Sequence, residues 1–204
     1  MKLNEYLEFF KKYYYKKLFT LNDISIVTGI SKKILSVELN RLVKKNLIER
    51  ISKNIYINPF NKPSIDEISM FLKYPSYISM EYALFIQNIM SQALFSVTLI
   101  TTQYPYEFHY GNYSFEYHHI KKELFFGYYE LQPNIYYAYP EKALLDLIYI
   151  RYKKGKTPKI ILESLINDLY LNEMKKEMLI EFANRMKIIN VVNEFKIFEQ
   201  IKIK

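Results

Sequence analysis

Glu141 and Asp146, five residues apart in the segment that opens at Pro140, are the most tempting pair of carboxylates in this chain for acid–base work. Such chemistry needs both groups aimed at one reacting atom. Pro140 suits the first turn of a helix, and on a helix five residues separate two side chains by roughly 140°, so these carboxylates point apart. Glu141 reads instead as a first-turn acid favoured by the helix dipole, and Asp146 as the i+4 partner of Lys142. The imidazoles do no better. His118 and His119 are adjacent in a β-prone run, which sends them to opposite faces, and His109 lies on a separate run with no carboxylate motif at metal-ligand spacing. No metal is expected. The chain has no Cys, which removes disulfides, Cys-based zinc sites and thiol nucleophiles and fits a reducing compartment. Its four glycines, Gly29, Gly111, Gly127 and Gly155, write neither a phosphate loop nor a dinucleotide fingerprint, and there is no nucleophile elbow. These absences argue against an enzyme and against a cofactor. The competing class is an enzyme acting on nucleic acid through an unfamiliar site.

What positions these residues is a chain of 204 residues, half of them hydrophobic, enough for one ordinary domain or two small ones with packed cores. The charge is divided unevenly. Residues 1–62 hold 13 Lys/Arg against 5 Asp/Glu and so carry the whole net charge of +8, while residues 63–204 hold 16 of each. A basic segment joined to a neutral one is the electrostatic footprint of a nucleic-acid-binding module with a partner domain; a solvated lysine face is the plainer alternative. The 21 tyrosines invite a reading as base-stacking platforms, but a compositional bias of the genome accounts for them equally. The opening Met1-Lys2-Leu3-Asn4-Glu5 is no signal peptide, and no apolar run approaches the roughly 20 residues of a membrane span. A soluble, cytoplasmic protein is expected.

In the basic segment Leu3, Tyr6, Leu7, Phe9 and Phe10 recur at helical spacing, predicting an amphipathic helix over 4–17. Thr20-Leu21-Asn22-Asp23 resembles a capping box opening a short helix through Thr28, ended by Gly29. Ser31 offers a second N-cap, and Leu35, Leu39, Leu42 and Val43 line one face of a helix to about Lys45. Two helices joined by so short a turn make a helix-turn-helix. Opposite that stripe lie Lys32, Lys33, Ser36, Val37, Asn40 and Arg41, with Lys44 further along, residue types suited to base edges and phosphates in the major groove of double-stranded DNA. Asn46 suits a left-handed cap. Two β-prone runs, 47–51 and 55–57, then flank Ser52-Lys53-Asn54 and form a hairpin, the wing, with Asn54 at a positive φ and Arg50 and Lys53 over the backbone beside the groove. Winged helices also serve as protein–protein modules, so the fold by itself does not decide between the two roles.

Pro59, Asn61, Lys62 and Pro63 mark a short linker, placing a winged helix-turn-helix at 1–62 and a second domain at 63–204. That domain opens with a helix over 64–73, then one capped by Ser79 whose Tyr82, Ala83, Phe85, Ile86, Ile89 and Met90 form an apolar face. Short runs at 97–101, 106–110, 113–120 and 135–138 predict a small, mostly antiparallel sheet, with hairpin chemistry at Gly111-Asn112. Helices follow from Pro140 to about Lys187, broken at Gly155 and Pro158; Val191, Val192, Phe195, Phe198 and Ile201 fit either a last helix or a strand-like tail. The basic run Arg151-Tyr152-Lys153-Lys154-Gly155-Lys156, continuing to Lys159, fits an extended nucleic-acid surface or, more simply, a solvated loop. The expected fold class is α+β: a winged helix-turn-helix followed by a mixed α/β domain with C-terminal helices.

Tyr77-Ile78-Ser79, Tyr82-Ala83-Leu84, Val97-Thr98 and above all Pro140-Glu141-Lys142-Ala143-Leu144-Leu145-Asp146-Leu147, behind an N-terminal winged helix, resemble the AbiEi family of antitoxins and transcriptional regulators from abortive-infection systems against bacteriophage. The resemblance implies a DNA-binding autorepressor acting at inverted repeats of its own promoter, whose second domain counters a nucleotidyltransferase-like toxin. If that reading holds, helical geometry alone puts Ser31, Lys32, Lys33, Ser36, Asn40 and Arg41 at the major groove, with Arg50, Lys53 and Asn54 at the wing. The chain departs from the family pattern at Lys53-Asn54, where Lys-Gly is usual, and at Thr101-Thr102-Gln103-Tyr104, where an arginine-containing segment is usual. Two readings compete: a winged-helix regulator without a toxin, whose second domain dimerises or senses a ligand, and a protein whose two domains are both interaction modules.

Overall fold

The computed structural model describes residues 3–92, 94–153, 155 and 157–201. Contacts divide the chain into two units that meet at Phe71 and Leu72.

The first unit opens with α1 (Leu3–Lys12), whose Tyr6, Phe9 and Phe10 are buried. It stops well short of residue 17, and the reason lies far along the sequence. Asn58, wholly buried, reaches with Nδ2 the carbonyl oxygens of Phe10, Tyr13 and Lys16 at 3.1, 3.2 and 3.0 Å. The Phe10 carbonyl lies in the last turn of α1, where a helix leaves its acceptors without intrahelical partners, and the other two follow in the chain that leaves it. The chain so released runs on as a strand missing from the sequence reading, β1 (Leu18–Thr20). After it come α2 (Leu21–Thr28), α3 (Lys32–Lys44), β2 (Glu49–Ser52) and β3 (Ile55–Ile57). β3 lies between β1 and β2 in an antiparallel sheet, with Phe19 opposite Tyr56 and a bulge in β2 between Arg50 and Ser52. Tyr6, Phe10, Phe19, Ile24, Leu35, Leu39 and Tyr56 form one core joining the helices to the hairpin. Fully burying each such side chain contributes about 1.5–3 kcal/mol.

α4 (Ile65–Leu72), expected as the opening helix of the second domain, falls within the first unit up to Phe71. Ser64 and Glu67 exchange hydrogen bonds at its start, and Lys17 Nζ grips both Glu67 oxygens at 2.7 and 2.8 Å. The unit boundary therefore lies past the expected one at Lys62.

The second unit is built on a sheet of six strands: β4 (Ser76–Ile78), β5 (Ser96–Thr101), β6 (Tyr106–Tyr110), β7 (Tyr113–His119), β8 (Tyr128–Gln132) and β9 (Ile135–Ala138). Their order is β6-β7-β5-β4-β9-β8. Three of the five joins are antiparallel, as expected of a mostly antiparallel sheet, while β5–β7 and β4–β9 are parallel. β7, with Phe115 and Tyr117 buried, takes the inner place beside β5 and leaves β6 at the edge. β4 and β8 were not foreseen. β4 is three residues long and buried throughout, so it has no alternation to read.

α5 (Met80–Ile86) follows Ser79, which holds the N-cap position without capping. Its hydroxyl donates to Asp146 Oδ2 instead, at 2.8 Å. α6 (Pro140–Leu147) is buried from Glu141 to Leu147. The Lys142–Asp146 pair is thus formed as expected, but inside the protein: both side chains are fully buried, Lys142 Nζ donates to Asp146 Oδ1 and to the Tyr77 hydroxyl (2.9 Å), and that hydroxyl donates to Asp146 Oδ2 (2.9 Å). Burial pushes the Asp146 carboxyl up and the Lys142 amine down, while each charge pulls the other back. Glu141 is also buried, and its Oε1 accepts from the Lys175 amide at 2.6 Å. The helical course continues through a wider π turn (Ile148–Lys153), α7 (Lys159–Asn167), α8 (Lys176–Arg185), α9 (Ile189–Glu194) and α10 (Ile197–Gln200). The C-terminal stretch is therefore helical, with Val192, Phe195 and Ile201 buried. Among the described residues no helix is long and apolar enough to cross a membrane.

Candidate nucleic-acid interface

The turn between α2 and α3 is pinned from several sides. Thr20 and Asp23 form the full capping box. Burial pushes the Asp23 carboxyl up, but the Thr20 amide and Lys16 outweigh it and hold the group below its ordinary range. Gly29 takes φ 70 and its amide donates to Ser25 O at 2.9 Å, the left-handed cap that glycine adopts without a Cβ penalty. Ser25 Oγ donates to Ile30 O at 2.7 Å. Ser31 has N-cap backbone geometry, yet its hydroxyl makes no cap bond and the residue is exposed at the start of α3.

On α3, Leu35, Leu39 and Leu42 are buried, and Lys32, Lys33, Val37, Arg41 and Lys44 are exposed, with Ser36 and Asn40 half-buried. At 100° per residue Lys33, Val37, Asn40 and Lys44 lie along one line opposite the leucines. Ile34 and Lys45, which the sequence reading left out, are exposed on the flank. Glu38, the acid of α3, is turned toward α1, where the Tyr6 hydroxyl donates to it and holds its carboxyl below the ordinary range.

The hairpin reverses at Lys53-Asn54, and Asn54 takes φ 67. Its carbonyl accepts from the Leu21 amide at 2.8 Å, tying the tip to the start of α2. Asn46 also takes a positive φ, 56, directly after α3. Arg50 Nη1 donates to Asn40 Oδ1 at 2.8 Å, which joins strand β2 to the middle of the exposed face of α3 and leaves the Asn40 amide hydrogens pointing away from the guanidinium.

The basic side chains sort into two sets. Lys11 pairs with Glu8 (3.3 Å), Lys16 with Asp23 (3.1 Å), Lys17 with Glu67 (2.7 Å) and Lys62 with Glu49 (3.8 Å). Among the described residues, Lys32, Lys33, Lys44, Lys45 and Lys53 are exposed with no carboxylate within 4 Å. Most of the unneutralised cations lie on α3, directly after it and at the hairpin tip, around a face that also carries Ser, Asn and Val; Lys12, at the end of α1, is likewise exposed and outside any ion pair.

In the second basic run, two cations are already paired. Arg151 is half-buried against Glu81 (2.9 Å) and Glu116 (3.6 Å), and Lys159 pairs with Glu163 (3.5 Å). The Lys153 side chain, Lys154 and Lys156 lie outside the described residues. His109 sits against Glu107 and His118 against Glu116, and among the described residues no three His, Asp or Glu side chains gather as a metal would require.

Residues 5–59 match the family model described as "Transcriptional regulator, AbiEi antitoxin". The match covers α1 from residue 5, α2, α3 and the hairpin but not α4, and the segments of the second unit that carry the resemblance noted above also lie outside it. No curated protein matches the chain.

Proposed function

We propose that the protein is a cytoplasmic DNA-binding antitoxin that acts by binding, not by catalysis: residues 1–62 form a winged helix-turn-helix that represses its own promoter at inverted repeats, and residues 63–204 counter a nucleotidyltransferase-like toxin. The observation that supports the reading is the concentration of unpaired cations on α3 and the hairpin tip, within the segment matched to the regulator family. In this reading α3 enters the major groove. Asn40 offers its amide to an adenine edge, Val37 packs on a thymine methyl, and Lys33 with Ser36 and Arg41 flanks them. Ser31 and Lys32 at the start of α3, and Lys44 at its end, take backbone phosphates. Arg50 holds Asn40 in place, while Lys53 and Asn54 reach the phosphates beside the groove.

The test is a titration of the full chain against a labelled duplex from upstream of its own gene and a scrambled duplex of equal length, at two salt concentrations. Tight binding that prefers the upstream duplex and weakens steeply with salt is expected, since released counterions drive phosphate contacts. Equal failure on both duplexes sinks the DNA reading. The antitoxin role is tested by co-expressing the chain with the nucleotidyltransferase-like protein encoded beside it; growth restored by the full chain supports it, and arrest that persists despite expression refutes it.

A further inference from the structure

Strand β6 closes one edge of the second unit's sheet, and its sequence, Tyr106-Glu107-Phe108-His109-Tyr110, has the same pattern read from either end: aromatic, polar, aromatic, polar, aromatic, with an acid and an imidazole at mirrored places. We propose that β6 pairs with β6 of a second copy of this chain, antiparallel about a two-fold axis at Phe108.

The backbone has the right parity. β6 and β7 are joined by Gly111-Asn112 alone, and Tyr110 faces Tyr113, Phe108 faces Phe115 and Tyr106 faces Tyr117. In a two-residue hairpin the pair flanking the turn is hydrogen-bonded, and such pairs alternate along the ladder. Tyr106, Phe108 and Tyr110 therefore bond inward to β7, while Glu107 and His109 turn their amides and carbonyls to the open side. A two-fold axis at Phe108 sets Glu107 opposite the partner subunit's His109, and His109 opposite the partner subunit's Glu107. These are the residues whose backbone groups are free to form the new ladder.

The side chains agree with the backbone. Glu107 and His109 share one face, 3.2 Å apart and exposed at 66% and 70%. Within its own sheet Glu107 stands opposite another acid, Glu116, an arrangement that like-charge repulsion disfavours. Two copies complete a square of alternating acid and imidazole, giving each Glu107 a second imidazole neighbour. On the other face Tyr106 is 41% exposed and lies within 6.3 Å of Phe108, ring to ring, so the partner extends an aromatic row already begun. Charges on an edge strand often serve to repel pairing, but repulsion needs like charges to meet, and here each carboxylate meets an imidazole, whose ring N–H can donate to it. The far edge, β8, carries an irregular register between Glu130 and Gln132, and the same operation there sets Glu130 against itself. An isologous contact through β6 closes at two copies, whereas β6 against β8 propagates an open chain.

The experiment is sedimentation velocity of the full chain from micromolar to sub-millimolar concentration, on four proteins: wild type, His109→Glu, His109→Lys and the exchange Glu107→His with His109→Glu. The expected result is a reversible wild-type dimer, weakened about ten-fold by His109→Glu, which replaces two carboxylate–imidazole pairs with two carboxylate–carboxylate pairs. His109→Lys keeps the attraction and holds the dimer, and the exchange restores self-complementarity with the same residues. Since both positions are exposed, the melting curves of the four are expected to lie close together at concentrations where the chain is monomeric. A monomer throughout overturns the proposal, as does a dimer indifferent to His109→Glu, or a weakening that the exchange fails to repair.

Discussion

Asn58 is the residue on which the first unit turns, and its replacement has a calculable cost. Its Nδ2 serves the carbonyls of Phe10, Tyr13 and Lys16, and its Oδ1 accepts from the Phe60 amide at 3.0 Å. The Tyr13 carbonyl keeps a second donor, the Lys16 amide at 3.0 Å, so Asn58→Ala strands two acceptors, those of Phe10 and Lys16. An unsatisfied buried group costs about 1–3 kcal/mol, and water entering the vacated space draws the total toward the lower end, so a loss of about 2–4 kcal/mol is expected. In a unit of this size that lowers the melting midpoint by roughly 10–30 °C. Asn58→Asp keeps the shape but aims a carboxylate at carbonyl oxygens, and is expected to cost more than Ala at neutral pH and less on acidification. The neighbouring Asn61, whose Nδ2 donates to Tyr14 O at 2.9 Å in an exposed bond, is the control: Asn61→Ala should cost less than about 0.5 kcal/mol. Hydrogen exchange of the full chain, resolved by peptide, reads α1 and β1 separately from the second unit. Equal, small losses for Asn58→Ala and Asn61→Ala would refute the reasoning, because burial and acceptor count would then not matter.

Asn40→Ala is expected to cost about 1–3 kcal/mol on the preferred duplex and to relax discrimination at one position, whereas Lys53→Ala weakens all duplexes alike and lowers the salt slope by about one; duplex titrations with single base changes check both. Lys142→Met leaves Asp146 buried without its cation and is expected to lose about 3–5 kcal/mol in urea unfolding, of which adding Asp146→Leu returns a part, the Tyr77 and Ser79 hydroxyls still lacking their acceptor. His118 first, then Ser96 and Arg151, hold the Glu116 carboxyl down at about 2 against the ordinary 4.5. A depressed folded value contributes stability that is present above the unfolded value and lost as pH falls through the folded one, so unfolding free energy should decline between those two pH values and Glu116→Gln should flatten the decline.

The sequence by itself determined what rests on neighbours along the chain. The capping box at Thr20 and Asp23, the left-handed Gly29 and Asn54, the leucine stripe of α3 and the i+4 pairing of Lys142 with Asp146 each depend on spacings of a few residues, and spacing is what a sequence displays. The charge asymmetry was legible for the same reason, since a sum needs no coordinates. Tertiary structure decided whatever depends on partners far away. The end of α1 depends on a side chain 48 positions on. Strand β1 exists because β3 offers it a ladder, and β4 because β5 and β9 flank it, though neither run is long enough to show a period. Ser79 looked like a cap because caps are local; its hydroxyl went to Asp146, 67 residues away, because a buried carboxylate needs donors from every side. The candidate surface divides in the same way. α3's exposed residues followed from helical geometry, but that Lys16, Lys17 and Lys62 are neutralised while Lys33, Lys44 and Lys53 are not is settled by which acids the fold brings within reach.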